Sequence, residues 1–365
     1  MKFKINQNNF WEGLSTVLRA ISSKSISLEL EGVLIEAKDN KIKLTGTDAQ
    51  ELSIETFIDA QIIEEGITLV NARLLGDVVR KLPHDDITVT VLKDRMNLKV
   101  QNSNFDLLTL NPDEYPSIPN VGDEKSITIN SQVLSQAIKQ TSFGVSLDLN
   151  RRTLMGVLFE LNKNKINFVS LDGIRLSVFS ENIDSDLELS AIVPAKSLDE
   201  LSRTIGEEDF PVKISFTDNN VKFDLVDTCF YSGLIEGNFF NYKDIIRKEH
   251  EIYVSCDRKN LVTSLERAEL LAKSEKAKLV KLEFDGNTLK ILSNTELGSV
   301  EELVDIDKNG DSLTIGFNSK FLLDGLKNME EDRINLLLKN EISPLIINGE
   351  GNDDYLYLVL PVRLA

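Results

Sequence analysis

The chain has 365 residues, 41% of them hydrophobic, which is enough to bury sizeable cores and excludes a disordered chain. It carries 59 acidic and 41 basic residues for a net charge of −18, an average that by itself argues against a polyanionic partner. No run of ~18 apolar residues is present to span a membrane, and the opening MKFKINQNNFWEGL has charges and amides where a secretory leader is apolar. The two cysteines, Cys229 and Cys256, stand 27 apart, which is neither a zinc spacing nor a disulfide framework, so the expected compartment is the cytoplasm with both thiols reduced.

Read in chain order, the first elements are an amphipathic helix and a set of strands. Phe10, Leu14, Val17, Leu18 and Ile21 share one helical face, with Asn9 as the expected N-cap and Glu12 in capping-box position. Strands are expected at 31–37, 41–46, 51–58 and 67–70, parted by the Asp39-Asn40 turn and a Glu-Glu-Gly turn. A second helix over 72–82 turns Leu75, Val78, Val79 and Leu82 inward and stops at Pro83. Strands at 86–92, 95–101 and 104–110 follow, joined at Lys93-Asp94 and Asn102-Ser103. The unit is two similar halves, each a helix laid on a small antiparallel sheet.

This unit then recurs. VLIEAKDNKIKLTGTD (33–48) returns as VLFELNKNKINFVSLD (157–172) and VKLEFDGNTLKILSNT (280–295), at offsets of 124 and 123. ITLVNARLLGDVVRKL (67–82) returns as SAIVPAKSLDELSRTI (190–205) and LTIGFNSKFLLDGLKNM (313–329) in the same register. Two blocks keeping one period mean three copies of one domain. The first helices of copies two and three fall at 131–142 and 258–272, and polar boundaries lie near 111–124 and 237–251. The expected domains are 1–120, 126–244 and 250–365.

Each second helix carries two cations seven residues apart: Arg73 and Arg80, Lys196 and Arg203, Lys320 and Lys327. Seven residues is two turns, so both side chains leave one face. The first helices add Arg19, Lys139, Arg258 and Arg267. Exposed helix faces commonly carry Lys and Arg, and Asp77 lies between the first pair. The recurrence in three copies favours a basic surface, with the excess acid elsewhere, able to hold a phosphate backbone without reading bases.

Catalytic and metal signals are weak. The two histidines, His84 and His250, flank a Pro and a charged linker. The run Asp305 to Asp311 copies half of an EF-hand loop, but its twelfth position is Gly316 rather than a bidentate Glu, so it reads as a hairpin loop. Asp48 and Asp172 read as turn residues closing a strand. No enzyme, metal or cofactor is expected. A binding protein remains, either for nucleic acid or as a repeat-built interaction scaffold with no nucleic-acid role. At the end of the chain, Tyr355 to Leu360 reads as a buried strand that Pro361 stops, leaving Val362, Arg363 and Leu364 near the surface.

MKF at the start, LTGTD (44–48), FDLLTLNPDEYPSIP (105–119), GVLFE (156–160), LDGIRLS (171–177), GFNSKFLLDGL (316–326) and LVLPVRL (358–364) resemble the beta sliding clamps of bacterial DNA polymerase III over the whole chain. The resemblance implies an α+β fold of three DNA-clamp domains, each two helices packed on antiparallel sheets. It further implies a head-to-tail homodimer closing a ring around double-stranded DNA. Inner-surface cations would correspond to Lys24, Arg73, Arg80, Lys196, Arg203, Lys320 and Lys327, with Arg151 and Arg152 replacing tyrosines that some members carry at 148–153. A pocket for short motifs of the polymerase alpha subunit, the clamp loader and other clamp-motif proteins would involve Leu154, Leu171, Gly173, Ile174, Arg175, Leu176, Phe240, Asn318, Phe321, Leu358, Val359, Leu360, Pro361, Val362 and Arg363. Ile174 stands where some members have His, and Phe240 and Asp244 where some have Pro and Arg. Burying a partner's Leu and Phe there supplies at most ~6 kcal/mol, whereas micromolar binding needs about 8, so main-chain hydrogen bonds must contribute. At the subunit contact, Phe105 and Leu107 would meet Leu270 and Leu271, with Glu296, Glu301 and Glu302 at the rim.

Overall fold

The computed structural model describes residues 1–21, 27–246, 249–275 and 277–364. It contains, among these, six α-helices: α1 (Gln7–Val17), α2 (Ala72–Lys81), α3 (Ser131–Thr141), α4 (Ala195–Ile205), α5 (Arg258–Ala272) and α6 (Ser319–Asn328). The chain divides into two compact units, residues 1–134 with 196–234, and residues 135–195 with 235–365. No described helix is long and apolar enough to cross a membrane.

Each unit is built on one antiparallel sheet. In the first unit 13 described strands run side by side, and in the second unit 12 do. The small sheets expected from sequence are therefore fused. In the first unit the join is made where Leu52–Asp59 pairs with Thr228–Gly233, Ile54 lying opposite Phe230. In the second, Arg175–Asn182 pairs with Asn352–Val359, Leu176 lying opposite Leu358. An edge strand left open exposes a row of unpaired N–H and C=O groups. Pairing edges of successive repeats removes it, and alternation within one strand does not say which strand its neighbour is.

Strand Lys2–Asn6, absent from the sequence expectation, alternates buried Phe3 and Ile5 with exposed Lys4 and pairs with Asp86–Leu92. It moves the start of α1. The N-cap is Asn6, whose Oδ1 accepts from the Asn8 N–H at 3.0 Å, and not Asn9. The same device, a strand ending in Asn or Asp that caps the next helix, recurs at Asn71, Asn130, Asp257 and Asn318. Gln61–Glu64 is a further short strand that sequence did not resolve. The Asp39-Asn40 turn has φ of 49° and 60°, the left-handed pair a tight hairpin requires. The acidic run at 305 lies within strand Gly298–Asn309 rather than in a loop, and the turn begins only at Gly310.

The helices lie on the sheets through their apolar stripes. Ala72, Leu75 and Val79 of α2 are fully buried, as are Leu198 and Leu201 of α4. α6 packs closest: a Cβ at Gly325 would fall 2.1 Å from Cε1 of Tyr357, whose hydroxyl donates to the Phe321 carbonyl at 2.7 Å.

Candidate functional site

Strand Lys165–Leu171 ends at Asp172, and one carboxylate builds the turn that follows. Its Oδ1 accepts from the Ile174 N–H (2.8 Å) and the Arg175 N–H (2.9 Å), while Oδ2 takes Nε of Arg175 at 2.9 Å. Gly173 sits at φ +96°, which a side chain would resist. The turn pushes Ile174 outward to 45% exposure and brings its carbonyl to the Leu360 N–H at 2.8 Å. Asp48 does the same at the equivalent place in the first copy, accepting from Gln50, Glu51 and Leu52.

Between this turn, the last strand and residues 240–245 lies an apolar cavity of about 250 Å³. Leu154, Leu171, Leu176, Ile245, Leu358 and Leu360 line it, together with Ile174, Phe240, Gly173, Arg151 and Arg175. Its floor belongs to a core cluster that includes Leu171, Leu176, Leu358 and Tyr242. Such a concavity with a few polar groups at its margin suits the apolar side chains of a ligand.

Arg175 is the wall's only strongly buried charge among the lining residues, 7% exposed. Nη1 reaches Asp324 Oδ2 at 2.6 Å and Nη2 donates to the Phe143 carbonyl at 2.9 Å. Its guanidinium also lies 4.9 Å from the Phe321 ring centre and 5.5 Å from that of Phe143. Burial works against the charge, but Tyr357, Asp324 and Asp172 outweigh it and hold the pKa above the ordinary arginine value. Tyr357 itself is pushed up by burial.

Not every residue expected at the pocket lines this cavity. Asn318 caps α6 and Phe321 stands behind Arg175. Val359 is fully buried, and Pro361 is half-buried beyond the strand end. Val362 and Arg363 instead line a separate depression of about 350 Å³ with Gly316, Glu341, Ile342 and Leu364. There the Val362 N–H donates to Gly316 O at 2.8 Å, so the tail is bridged back onto the sheet. Arg151, expected to face DNA, lies at the cavity mouth with Nη1 3.4 Å from the Asp172 carbonyl. Ile245 was missed because the stretch from 237 to 251 reads as a polar linker. The Ile245-Ile246 pair inside it was the available signal. A larger depression of about 480 Å³ lies elsewhere on the second unit's sheet, walled by Tyr253, Asn287, Asp307 and Asn335, and holds none of the expected residues.

The cation pairs stand on exposed helix faces. In the first unit Arg73, Arg80, Lys196 and Arg203 are exposed, and in the second Arg152, Lys320 and Lys327. Lys24 lies outside the described residues. Arg80 is paired with Asp77 at 2.9 Å and Arg203 with Glu200 at 2.6 Å. Lys327 is paired with Glu266 at 2.7 Å, and Lys320 approaches Asp324 at 3.7 Å. Among the described residues no carboxylate lies within 4.0 Å of Arg73, Lys196 or Arg152. Sequence reading noted Asp77 alone, yet Glu200 and Asp324 occupy the same place in the other copies, 123 and 124 positions on. Just beyond α1, Arg19 pairs with Glu200 (3.2 Å), and on α3 Lys139 pairs with Glu330 (3.7 Å).

For the expected subunit contact, Phe105 is 41% exposed, but Leu107 is only 6% exposed and faces inward opposite Met96. The two share a strand face, covered at Leu107 and open towards Phe105. Leu108, on the opposite face, is the exposed neighbour at 62%. Leu270 is 63% exposed and Leu271 half-buried. Glu296 is exposed, Glu301 lies 3.4 Å from Lys290, and Glu302 is held by Arg267, whose hydrogen bonds depress the carboxyl's pKa.

Repeated helix-on-sheet halves, exposed cation pairs and an apolar cavity beside the final strand define a multidomain DNA-clamp protein. Three family profiles cover the chain: the DNA polymerase III beta subunit N-terminal domain over residues 1–119, the central domain over 128–241 and the C-terminal domain over 243–363. The beta sliding clamp of Staphylococcus aureus is 31% identical over 374 aligned positions, covering 100% of this chain and 99% of that protein. The DNA polymerase sliding clamp of Bacillus subtilis superposes with a TM-score of 0.96 at 29% identity, over all of both chains. The sliding clamp of Pseudomonas aeruginosa bound to griselimycin does so at 0.95 and 29%, again over all of both. The chain belongs to the DNA polymerase III beta subunit family, the bacterial beta sliding clamps. It is a non-catalytic processivity factor that acts on DNA together with clamp partners.

Proposed function

We propose that two copies of this chain join head to tail into a ring around double-stranded DNA, each copy contributing domains 1–120, 126–244 and 250–365. In this reading the cytoplasm is the site of action. Arg73, Lys196 and Arg152 meet phosphates without first leaving a carboxylate, whereas Arg80, Arg203, Lys320 and Lys327 must each exchange one. Contacts of that kind are individually weak and blind to sequence, which suits a protein retained by topology and free to slide.

The apolar cavity beneath Ile174 and Phe240 carries the partner half of this reading. It takes the Leu or Phe anchor of a short motif from the polymerase alpha subunit, the clamp loader or another clamp-motif protein. The neighbouring depression at Val362 and Arg363 receives the continuing chain. A relative crystallised with griselimycin supports a ligand-accepting surface in the family.

The test of the ring is to load the protein onto nicked circular DNA with a clamp loader and ATP, then linearise the DNA. A ring stays on the circle and slips from the ends. Equal retention on both forms overturns the topological reading.

A further inference from the structure

One wall of the cavity is not part of the sheet. Phe240 and Ile245 stand on the segment from Ile235 to Ile246, which crosses the face of strands Gly156–Asn162 and Lys165–Leu171. Among the described residues, its backbone donates to the sheet at its start, Ile235 to Ile192 (2.8 Å), and to itself at a short turn, Ile245 to Tyr242 (3.1 Å). Between those points side chains must anchor it.

They converge on Glu160. The Tyr242 hydroxyl donates to Oε2 at 2.7 Å, and the Lys243 ammonium to Oε1 at 2.8 Å. Asn167, directly opposite Glu160 in the sheet, adds its amide to Oε2 at 3.0 Å and is itself fixed by the Ser180 hydroxyl at 2.7 Å. Three donors on one half-buried carboxylate are charge-assisted bonds, the strong kind. Burial resists the negative charge, but Lys243, Tyr242 and Asn167 prevail and keep the carboxyl below its ordinary pKa. The Tyr242 ring lies 5% exposed in the cluster that floors the cavity, two residues from Phe240. Glu160 does not line the cavity.

We infer that Glu160 is a positioning residue for partner binding: it pins Tyr242 and Lys243, and so holds Phe240 and Ile245 as a wall without touching the partner. The inference rests on the cavity being the partner site. Releasing the segment leaves the floor intact but lowers the fraction of molecules whose pocket is formed, and apparent affinity falls by that fraction.

The experiment compares Glu160→Leu and Glu160→Gln in the full chain, by hydrogen exchange over residues 240–245 and by calorimetric titration with a short synthetic peptide bearing Leu and Phe. Glu160→Leu speeds exchange there and weakens the peptide about tenfold, the loss of a charge-assisted anchor. Glu160→Gln, which still accepts from Tyr242 but has no charge to hold Lys243, falls between the wild type and Glu160→Leu in both. In a chain carrying Phe240→Ala and Ile245→Ala, the further effect of Glu160→Leu falls below about twofold, because the wall it positions is gone. Unchanged exchange in Glu160→Leu overturns the inference. So does faster exchange with unchanged affinity, or an equal loss in both backgrounds, which marks general damage. Leu171→Asp in the cavity floor tests the underlying reading: peptide binding that survives it refutes the partner site itself, and this inference with it.

Discussion

Asp324→Ala isolates the contribution of one carboxylate to the buried guanidinium behind the cavity. Arg175 has three acceptors: Asp172 Oδ2 at 2.9 Å, Asp324 Oδ2 at 2.6 Å and Phe143 O at 2.9 Å. The Arg175 side chain is 8% exposed and that of Asp324 28%, so the pair falls between two regimes. Breaking a fully buried pair costs 3–5 kcal/mol, about, and an exposed pair contributes about 0–1. With two acceptors remaining and Asp324 partly screened, the expected cost is ~1.5–2 kcal/mol. It appears locally, because the Asp172 turn opens as a unit and the multidomain chain has no single unfolding free energy. Native-state hydrogen exchange over residues 172–177 should therefore quicken roughly 10–30-fold. Asp172→Ala should exceed this, since Ile174 and Arg175 also lose their N–H acceptor. A change of less than about threefold for Asp324→Ala, or the reverse order of the two variants, refutes the account.

Gly325→Ala inverts the usual helix rule. Ala gains about 1 kcal/mol of helix propensity, but its Cβ would lie 2.1–2.2 Å from two Tyr357 ring carbons. Overpacking there outweighs the gain and nets ~1–2 kcal/mol of destabilisation; a raised Tm contradicts this. Lys196→Glu with Arg203→Glu should reduce the slope of log K against log salt for duplex DNA by about 2, and an unchanged slope removes both from the phosphate contacts. Phe105→Arg should yield monomers in sedimentation, and an intact dimer refutes the contact. Because the Glu160 pKa is depressed, the charged part of its tether is fully present above the ordinary value of 4.5 and is lost as pH falls through the folded-state value below it. Exchange at residues 240–245, corrected for intrinsic rates, should rise on acidification in the wild type and not in Glu160→Leu.

Much of the fold is legible because each repeat writes its signals locally. Apolar spacing placed α2, the repeat period carried it to α4 and α6, and Asp172 was readable as a turn residue from its place after a strand. What escaped depends on partners distant in sequence. Lys2–Asn6 is a strand because Asp86–Leu92 accepts it, and only then does Asn6 become the cap. Leu107 and Phe105 obey the same alternation, yet how far cover extends along that face is a tertiary fact. The fused sheets depend on which edges meet. Most of the cavity residues were legible one by one through resemblance, Ile245 and the place of Arg151 at the mouth excepted. Their separation into two depressions was not, because the bridge from Val362 to Gly316 joins positions far apart in sequence.

The three second helices share one charge pattern, cation, then acid four positions on, then cation three further, and the third copy has reassigned its acid. Asp77 holds Arg80 and Glu200 holds Arg203, each three residues away on its own helix. Asp324 turns instead to Arg175, 149 positions away, at 2.6 Å. Lys327 is then left to Glu266 and Lys320 keeps only a 3.7 Å approach to Asp324. The repeat places a partly exposed carboxylate on this helix face, and in the third copy it also serves the guanidinium behind the cavity wall. Asp324 gives the buried Arg175 a second carboxylate beside Asp172, whose other oxygen already serves two backbone N–H groups. The acid at 324 is accordingly the position where the repeat's cationic face and the cavity draw on the same charge.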